Sequence, residues 1–254
     1  MNLTLPTEKT APVGDLSKET FLIYGPPKVG KSSLCAQFPD AIFIATEPGL
    51  RALDTFEVHP KDWEELLGYC TELAKAEHGY KTVVIDTLDN AYRMCSDYIC
   101  KRNGNVDHPT DIEGMAKGWT LISNEILRVF RRLHQLGLGV ILISHLKDQP
   151  KKTRTGLEYT VIAPSLSGGT TRQITAFADI IMLYDMATEK KPKGGSDPKV
   201  RRILRTSPHP DYEAGGRIPL PDTIEAGNSP AEAYANIVKA YKEATKTETA
   251  KESK

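Results

Sequence analysis

The stretch Gly25-Pro26-Pro27-Lys28-Val29-Gly30-Lys31-Ser32 constrains this chain more than any other. It lies between a short apolar run, Phe21–Tyr24, and a helix-compatible run starting at about Lys31. Its pattern, G-x-x-x-x-G-K-[ST], is that of a phosphate-binding loop, in which successive backbone N–H groups converge on phosphate oxygens. The glycines permit the curvature and the close approach. Lys31 reaches the β- and γ-phosphates, and the Ser32 hydroxyl ligates Mg²⁺. The positive end of the following helix adds its partial charge at the same spot. The four fixed positions would arise by chance in roughly one chain of this size in a hundred. The strand before and the helix after make a bare strand–helix turn a poorer explanation. A nucleoside triphosphate site is expected at Gly25, Pro26, Pro27, Lys28, Val29, Gly30, Lys31, Ser32 and Ser33.

Bulk properties narrow the rest. The chain has 254 residues, enough for one α/β domain with a substantial core. Its formal net charge is zero, so nucleic acid is not held by a global basic field and any contact must be a local patch. Four cysteines (Cys35, Cys70, Cys95, Cys100) fall in or near apolar-periodic segments, without the spacing of a disulfide framework. That usage suits a reducing compartment, and a cytoplasmic location is expected. No apolar run approaches the ~18 residues that span a bilayer, so no membrane partner is expected.

Along the chain, residues 1–19 read as a polar arm, 20–226 as the core, 227–243 as a helix and 244–254 as a flexible tail. Apolar strands are expected at 21–24, 41–45, 82–86, 139–145 and 178–184, a short edge strand at 55–58 and further strands at 158–163 and 200–206. Helices are expected at 31–37, 61–77, 88–102, 119–136 and about 170–176. Residues 102–117 and 147–157 read as exposed loops, the second mobile and cationic, and 190–198 as a charged turn. Ser229-Pro230-Ala231-Glu232 combines a capping box with proline at the first helical position. Strands alternating with helices argue for a mostly parallel sheet covered on both faces, with ligands at the carboxyl ends of its strands.

The residues at those strand ends supply the candidate chemistry. Asp86 ends an apolar run as a Walker B carboxylate and would hold Mg²⁺ opposite Ser32. Thr87 follows it where many ATPases carry a catalytic Glu. Glu47, at the end of the second strand, is therefore the candidate base for the attacking water, with Asp89 the runner-up. His145, next to Ser144, could sense the γ-phosphate. Lys147, Lys151, Lys152 and Arg154, and then Arg172 after a Gly/Thr-rich stretch, suit a nucleic-acid backbone, though a solvated loop explains them as well. Arg201, Arg202 and Arg205 lie on or beside the late strand. Arg202 or Arg205 would act in trans as an arginine finger unless the sheet face there is merely exposed. Cys95, Cys100 and His108 have no common zinc spacing.

Taken together, the sequence resembles the RecA-type ATPase core, and specifically the phage AAA-type ATP-binding protein family that includes RecA-core single-strand-annealing proteins. Gly25–Ser32, Phe43–Leu50 (FIATEPGL), Thr82–Asn90 (TVVIDTLDN), Gly118-Trp119, Val140–His145 (VILISH) and Arg201–Thr206 carry the resemblance. It implies core strand order 5-1-4-3-2, a catalytic Glu after the second strand, and DNA-binding loops after Asp86 and after His145. The sensor at the fourth strand is often Gln in that class, and Ser144-His145 departs from it. ATP and Mg²⁺ are the implied cofactors. Single-stranded DNA, further copies of the chain in a ring or filament, and a single-strand-binding protein are the implied partners. The implied role is recombination by annealing, or replication. A competing reading is an ATP-gated module that acts on a protein partner with little turnover.

Overall fold

The five core strands form where the apolar runs predict them, because a strand buried on both faces needs an apolar side chain at nearly every position. The structure, a computed structural model, describes residues 5, 7, 14–75, 77–114, 116–166, 168–188 and 200–252. Its elements are β1 (Thr20–Tyr24), α1 (Lys31–Cys35), β2 (Ala41–Ala45), β3 (Phe56–Val58), α2 (Trp63–Lys75), β4 (Thr82–Asp86), α3 (Leu88–Arg102) and α4 (Lys117–Gln135). They continue with β5 (Gly139–Ser144), β6 (Leu146–Lys152), β7 (Glu158–Pro164), α5 (Gly168–Phe177) and β8 (Ile180–Thr188). The last are β9 (Val200–Arg205), β10 (Gly215–Gly216), β11 (Thr223–Glu225) and α6 (Pro230–Glu252).

The main sheet runs β11-β9-β8-β1-β5-β4-β2-β3, with β10 paired to β8. The strands from β8 to β3 are parallel, whereas β9, β10 and β11 join antiparallel. Counting only the five core strands, β8-β1-β5-β4-β2 is the expected order 5-1-4-3-2. Every residue of β1, β2, β4 and β5 is buried. Alternation splits their side chains between two layers. Leu22, Val83, Ile85, Val140 and Leu142 pack with α2, α3, α4 and α5. Phe21, Ile23, Val84, Ile141 and Ile143 pack with α1 and α6. With β1 and β4 both flanking β5, the carboxyl ends of β1, β5, β4 and β2 lie side by side. That row is where the candidate residues meet.

Four sequence expectations change. The segment 147–157 is not a free loop, since β6 pairs with β7 from Leu146↔Pro164 to Lys152↔Glu158 as a hairpin with its own two-stranded sheet. Its Lys, Asp, Gln and Pro residues carry no apolar alternation, and the strand is set by its backbone pairing with β7, joined by the Lys152–Glu158 pair at its far end. The loop 102–117 is partly built in, with a 3₁₀ turn at Pro109–Asp111 and Ile112 buried beside it. Asp15–Lys18 also leaves the polar arm: Leu16–Lys18 is a 3₁₀ turn capped by Asp15, and Leu16 enters the core. The helix expected over 227–243 starts at Pro230 and runs to Glu252, so the tail expected from 244 is helical that far. Most of the arm, Ser167 and the turn at 190–198 lie outside the described residues.

Candidate active site

The phosphate loop leaves β1 at Gly25, where the backbone passes under β8. A Cβ at Gly25 would stand 2.2 Å from the Tyr184 carbonyl oxygen, so only glycine fits. The loop enters α1 through Gly30, whose φ of +112° is open to glycine and strained for other residues. Pro27 and Lys28 are exposed at the tip, while Val29 is buried and ties the loop to the α1/α6 layer. Pro26, Ser32 and Ser33 are partly exposed.

Lys31 is buried, and its Nζ donates to the carbonyl oxygens of Gly25 (2.8 Å) and Pro26 (3.0 Å). Burial pulls the Lys31 ammonium below its ordinary value, and the charges of Asp86 and Asp89 act against that pull. Ser32 Oγ donates to Asp86 Oδ2 at 2.6 Å. Burial pushes the Asp86 carboxyl up; the Ser32 hydrogen bond lowers it and the nearby Glu47 raises it. A hydroxyl and a desolvated carboxylate on facing elements are hard oxygen donors that suit Mg²⁺. Their contact, with Lys31 and the loop amides alongside, fits a Mg–nucleoside triphosphate.

Glu47 follows β2 and is braced from two sides. Asn90 Nδ2 donates to its Oε2 at 3.1 Å, and His145 Nε2 lies 3.6 Å from its Oε1. Thr46 and Thr87 hold the two strand ends together. The Thr87 N–H donates to Thr46 Oγ1 (2.9 Å), and Thr46 Oγ1 donates to the Thr87 carbonyl (2.8 Å). Asp89 accepts the main-chain N–H of His145 at 3.1 Å, and burial raises its carboxyl. That bond, through Asp89 Oδ2, fixes the end of β5. Glu47, Asn90 and His145 line a cleft of about 580 Å³ that extends past Tyr92 to His108 and Trp119.

The predicted arginines separate. Arg201 pairs with Glu225 at 2.6 Å on an exposed face. Arg205 pairs with Asp185 at 2.9 Å. Arg202 lies beside its own chain's phosphate loop, its Nη1 3.6 Å from where a Gly30 Cβ would be and its Nη2 donating to the Asn228 carbonyl at 3.1 Å. Of the cationic candidates, Lys147 donates to the Leu166 carbonyl, Lys151 pairs with Glu213 (2.8 Å), Lys152 pairs with Glu158 (3.2 Å), and Arg154 and Arg172 are exposed. Cys95 and Cys100 are buried in the helical layer, and His108 caps the 3₁₀ turn at Thr110. No group of three or more potential ligands gathers there or elsewhere among the described residues.

Sequence reasoning missed Asn90, Tyr184 and Asn228. Asn90 had a signal: a polar pair, Asp89-Asn90, in the first turn of the helix that follows the strand-end carboxylate. Tyr184 and Asn228 had none, because Tyr184 reaches the loop through the β1–β8 pairing and Asn228 reaches Arg202 from the segment after β11, which pairs with β9.

No helix among the described residues is long and apolar enough to cross a membrane. Compared with known proteins, the chain is 22% identical over 147 residues to the SPbeta prophage-derived uncharacterized protein YorG of Bacillus subtilis (strain 168). That match covers 54% of this chain and 43% of the relative, so the chain spans less than half of that protein's length. Among solved structures, the KaiC-like protein PH0186 of Pyrococcus horikoshii OT3 is similar at 14% identity, with a TM-score of 0.47, over 85% of this chain and 88% of that one. The profile of a family described as AAA domain matches residues 17–218, a span that holds the phosphate loop, Glu47, Asp86 and His145. The loop, the strand order and that match agree: the chain belongs to this AAA domain family of P-loop NTPases.

Proposed function

We propose that the chain hydrolyses ATP with Mg²⁺ and couples this to single-stranded DNA. The carrying observation is Glu47, braced by Asn90 at 3.1 Å and His145 at 3.6 Å beside the Ser32–Asp86 pair. In this reading Glu47 orients a water and takes its proton as the water oxygen bonds to the γ-phosphorus and the bond to the β–γ bridging oxygen breaks. Lys31 and the loop amides of Gly25–Ser33 offset the charge that builds on the phosphate oxygens. Mg²⁺, held by Ser32 and Asp86, would supply further charge neutralisation. His145, 3.6 Å from Glu47 Oε1, would report on the γ-phosphate.

Arg202 holds the nucleotide within its own subunit, which leaves Arg205 as the remaining trans candidate. Lys147, Lys151, Lys152, Arg154 and Arg172 form the DNA-facing side. The prophage relative supports a phage setting, in which the chain assembles as a ring or filament in the host cytoplasm. There it serves single-strand annealing or replication, alongside a single-strand-binding protein.

The test is steady-state ATP hydrolysis with and without a single-stranded oligonucleotide, for wild type and Glu47→Gln. Stimulation in the wild type and its loss in the variant are expected. Unstimulated turnover that Glu47→Gln leaves intact would overturn the reading in favour of a nucleotide-gated module acting on a protein partner.

A further inference from the structure

Between the β6–β7 hairpin, α5 and residues 208–214 lies a cleft of about 460 Å³ that shares no lining residue with the Glu47 cleft. Lys151 lines it from β6, Arg172 and Thr175 from α5, and Pro208, His209 and Tyr212 from the segment after β9. The His209 and Tyr212 rings stack with centroids 4.7 Å apart and planes 7° from parallel. The Arg205 guanidinium lies 5.1 Å from the Tyr212 centroid and is itself held by Asp185. The Asp211 main-chain N–H donates to His209 Nδ1 at 3.2 Å, which orients the imidazole while its side chain stays 46% exposed.

Two cations flank this platform. Arg172 is exposed, and its guanidinium makes no hydrogen bond or ion pair among the described residues. Lys151 is paired with Glu213, a carboxylate that an incoming phosphate must compete with. An oriented, exposed ring beside a free guanidinium matches a nucleotide unit. Bases stack on such rings whatever their identity, and backbone phosphates pair with the cations. A duplex keeps its base faces covered, so the ligand that fits is an unpaired strand. In a chain of zero net charge, this local arrangement must supply the attraction itself.

We propose that this cleft binds a single nucleic-acid strand, one base stacking on His209 and the adjoining phosphate meeting Arg172 and Lys151. The inference rests on the single-stranded DNA reading above and adds to it a site whose stacking residues, His209 and Tyr212, lie outside the loops after Asp86 and His145. Glu213 ties the site to the nucleotide end. The Tyr24 hydroxyl donates to the Glu213 carbonyl at 2.6 Å and accepts the Glu213 N–H at 3.1 Å, and Tyr24 immediately precedes Gly25.

The experiment is fluorescence anisotropy of the full chain with labelled oligo-dT over a range of salt, for wild type, His209→Ala, His209→Phe, Arg172→Ala and Arg172→Lys. Melting temperature serves as the folding control. His209→Ala is expected to weaken binding roughly tenfold or more, and His209→Phe to keep it, because phenylalanine preserves the stacking face. Arg172→Ala should flatten the salt slope by about 0.7 unit, the single-strand value for one phosphate contact, with Arg172→Lys retaining it. If wild type binds and both alanine variants bind equally well, the cleft is wrong while the DNA reading stands. His209→Phe as weak as His209→Ala would overturn the stacking role. No binding by wild type would remove the DNA reading, and this site with it.

Discussion

Ser32 Oγ stands 2.6 Å from Asp86 Oδ2, a contact between the first turn of α1 and the last residue of β4. The carboxylate it touches is desolvated, and its affinity for protons is raised chiefly for that reason. A carboxyl whose folded pKa lies above its unfolded value binds its proton more tightly in the folded state. Ionising it therefore costs stability as pH rises through that interval, and the cost persists at neutral pH. Asp86→Asn removes the charge and can still accept from Ser32. Its melting temperature at neutral pH should equal or exceed that of wild type, while Mg²⁺-dependent turnover falls by at least about a hundredfold. A clearly lowered melting temperature would contradict the burial argument.

At Gly25 the limit is steric. With the Tyr184 carbonyl oxygen 2.2 Å from any added Cβ, backbone on both sides must shift. Gly25→Ala should lose about 1–3 kcal/mol in denaturant titration, or more if the β1–β8 pairing is disturbed. An unchanged midpoint would mean that the close approach is not present in solution.

Asn90 and Glu47 should separate binding from chemistry. Glu47→Gln keeps the shape of the side chain and removes the base, so kcat should fall by about 10²–10⁴-fold with the nucleotide Kd little changed. Asn90→Ala frees the Glu47 carboxylate without deleting it, and a smaller fall of roughly tenfold in kcat is expected. Equal effects on Kd and kcat in Asn90→Ala would point to a collapsed site instead of a misplaced base.

Arg202 should act within its own subunit. Arg202→Ala is expected to weaken ATP-analogue binding about tenfold, the scale of one charge-assisted contact. Mixing it with Lys31→Ala subunits should restore nothing, because both variants then lack a residue of the same chain's site. Recovered turnover in the mixture would place Arg202 across an interface.

Much of this was legible from residue order. Phe21–Tyr24, Ala41–Ala45, Thr82–Asp86 and Gly139–Ser144 are apolar at nearly every position, which only strands covered on both faces require. The loop pattern located the site, and strand-end position singled out Glu47, Asp86 and His145 without any view of their contacts. The β6 strand was not legible, since Leu146-Lys147-Asp148-Gln149-Pro150 carries no periodic apolar signal. Its pairing depends on β7 being present as a template.

The sequence by itself determined the phosphate loop and the identity of the chemical groups at the strand ends, because those depend on local backbone freedom and on short-range patterning. Only the tertiary structure decided who meets whom. Inserting β5 between β1 and β4 brings His145 to Glu47, and the β8–β9 pairing carries Arg202 to its own Gly30. It also decided that His209, Tyr212, Lys151 and Arg172 share one cleft. Such contacts join residues far apart in the chain, and packing of the whole sheet, not local preference, sets their distances.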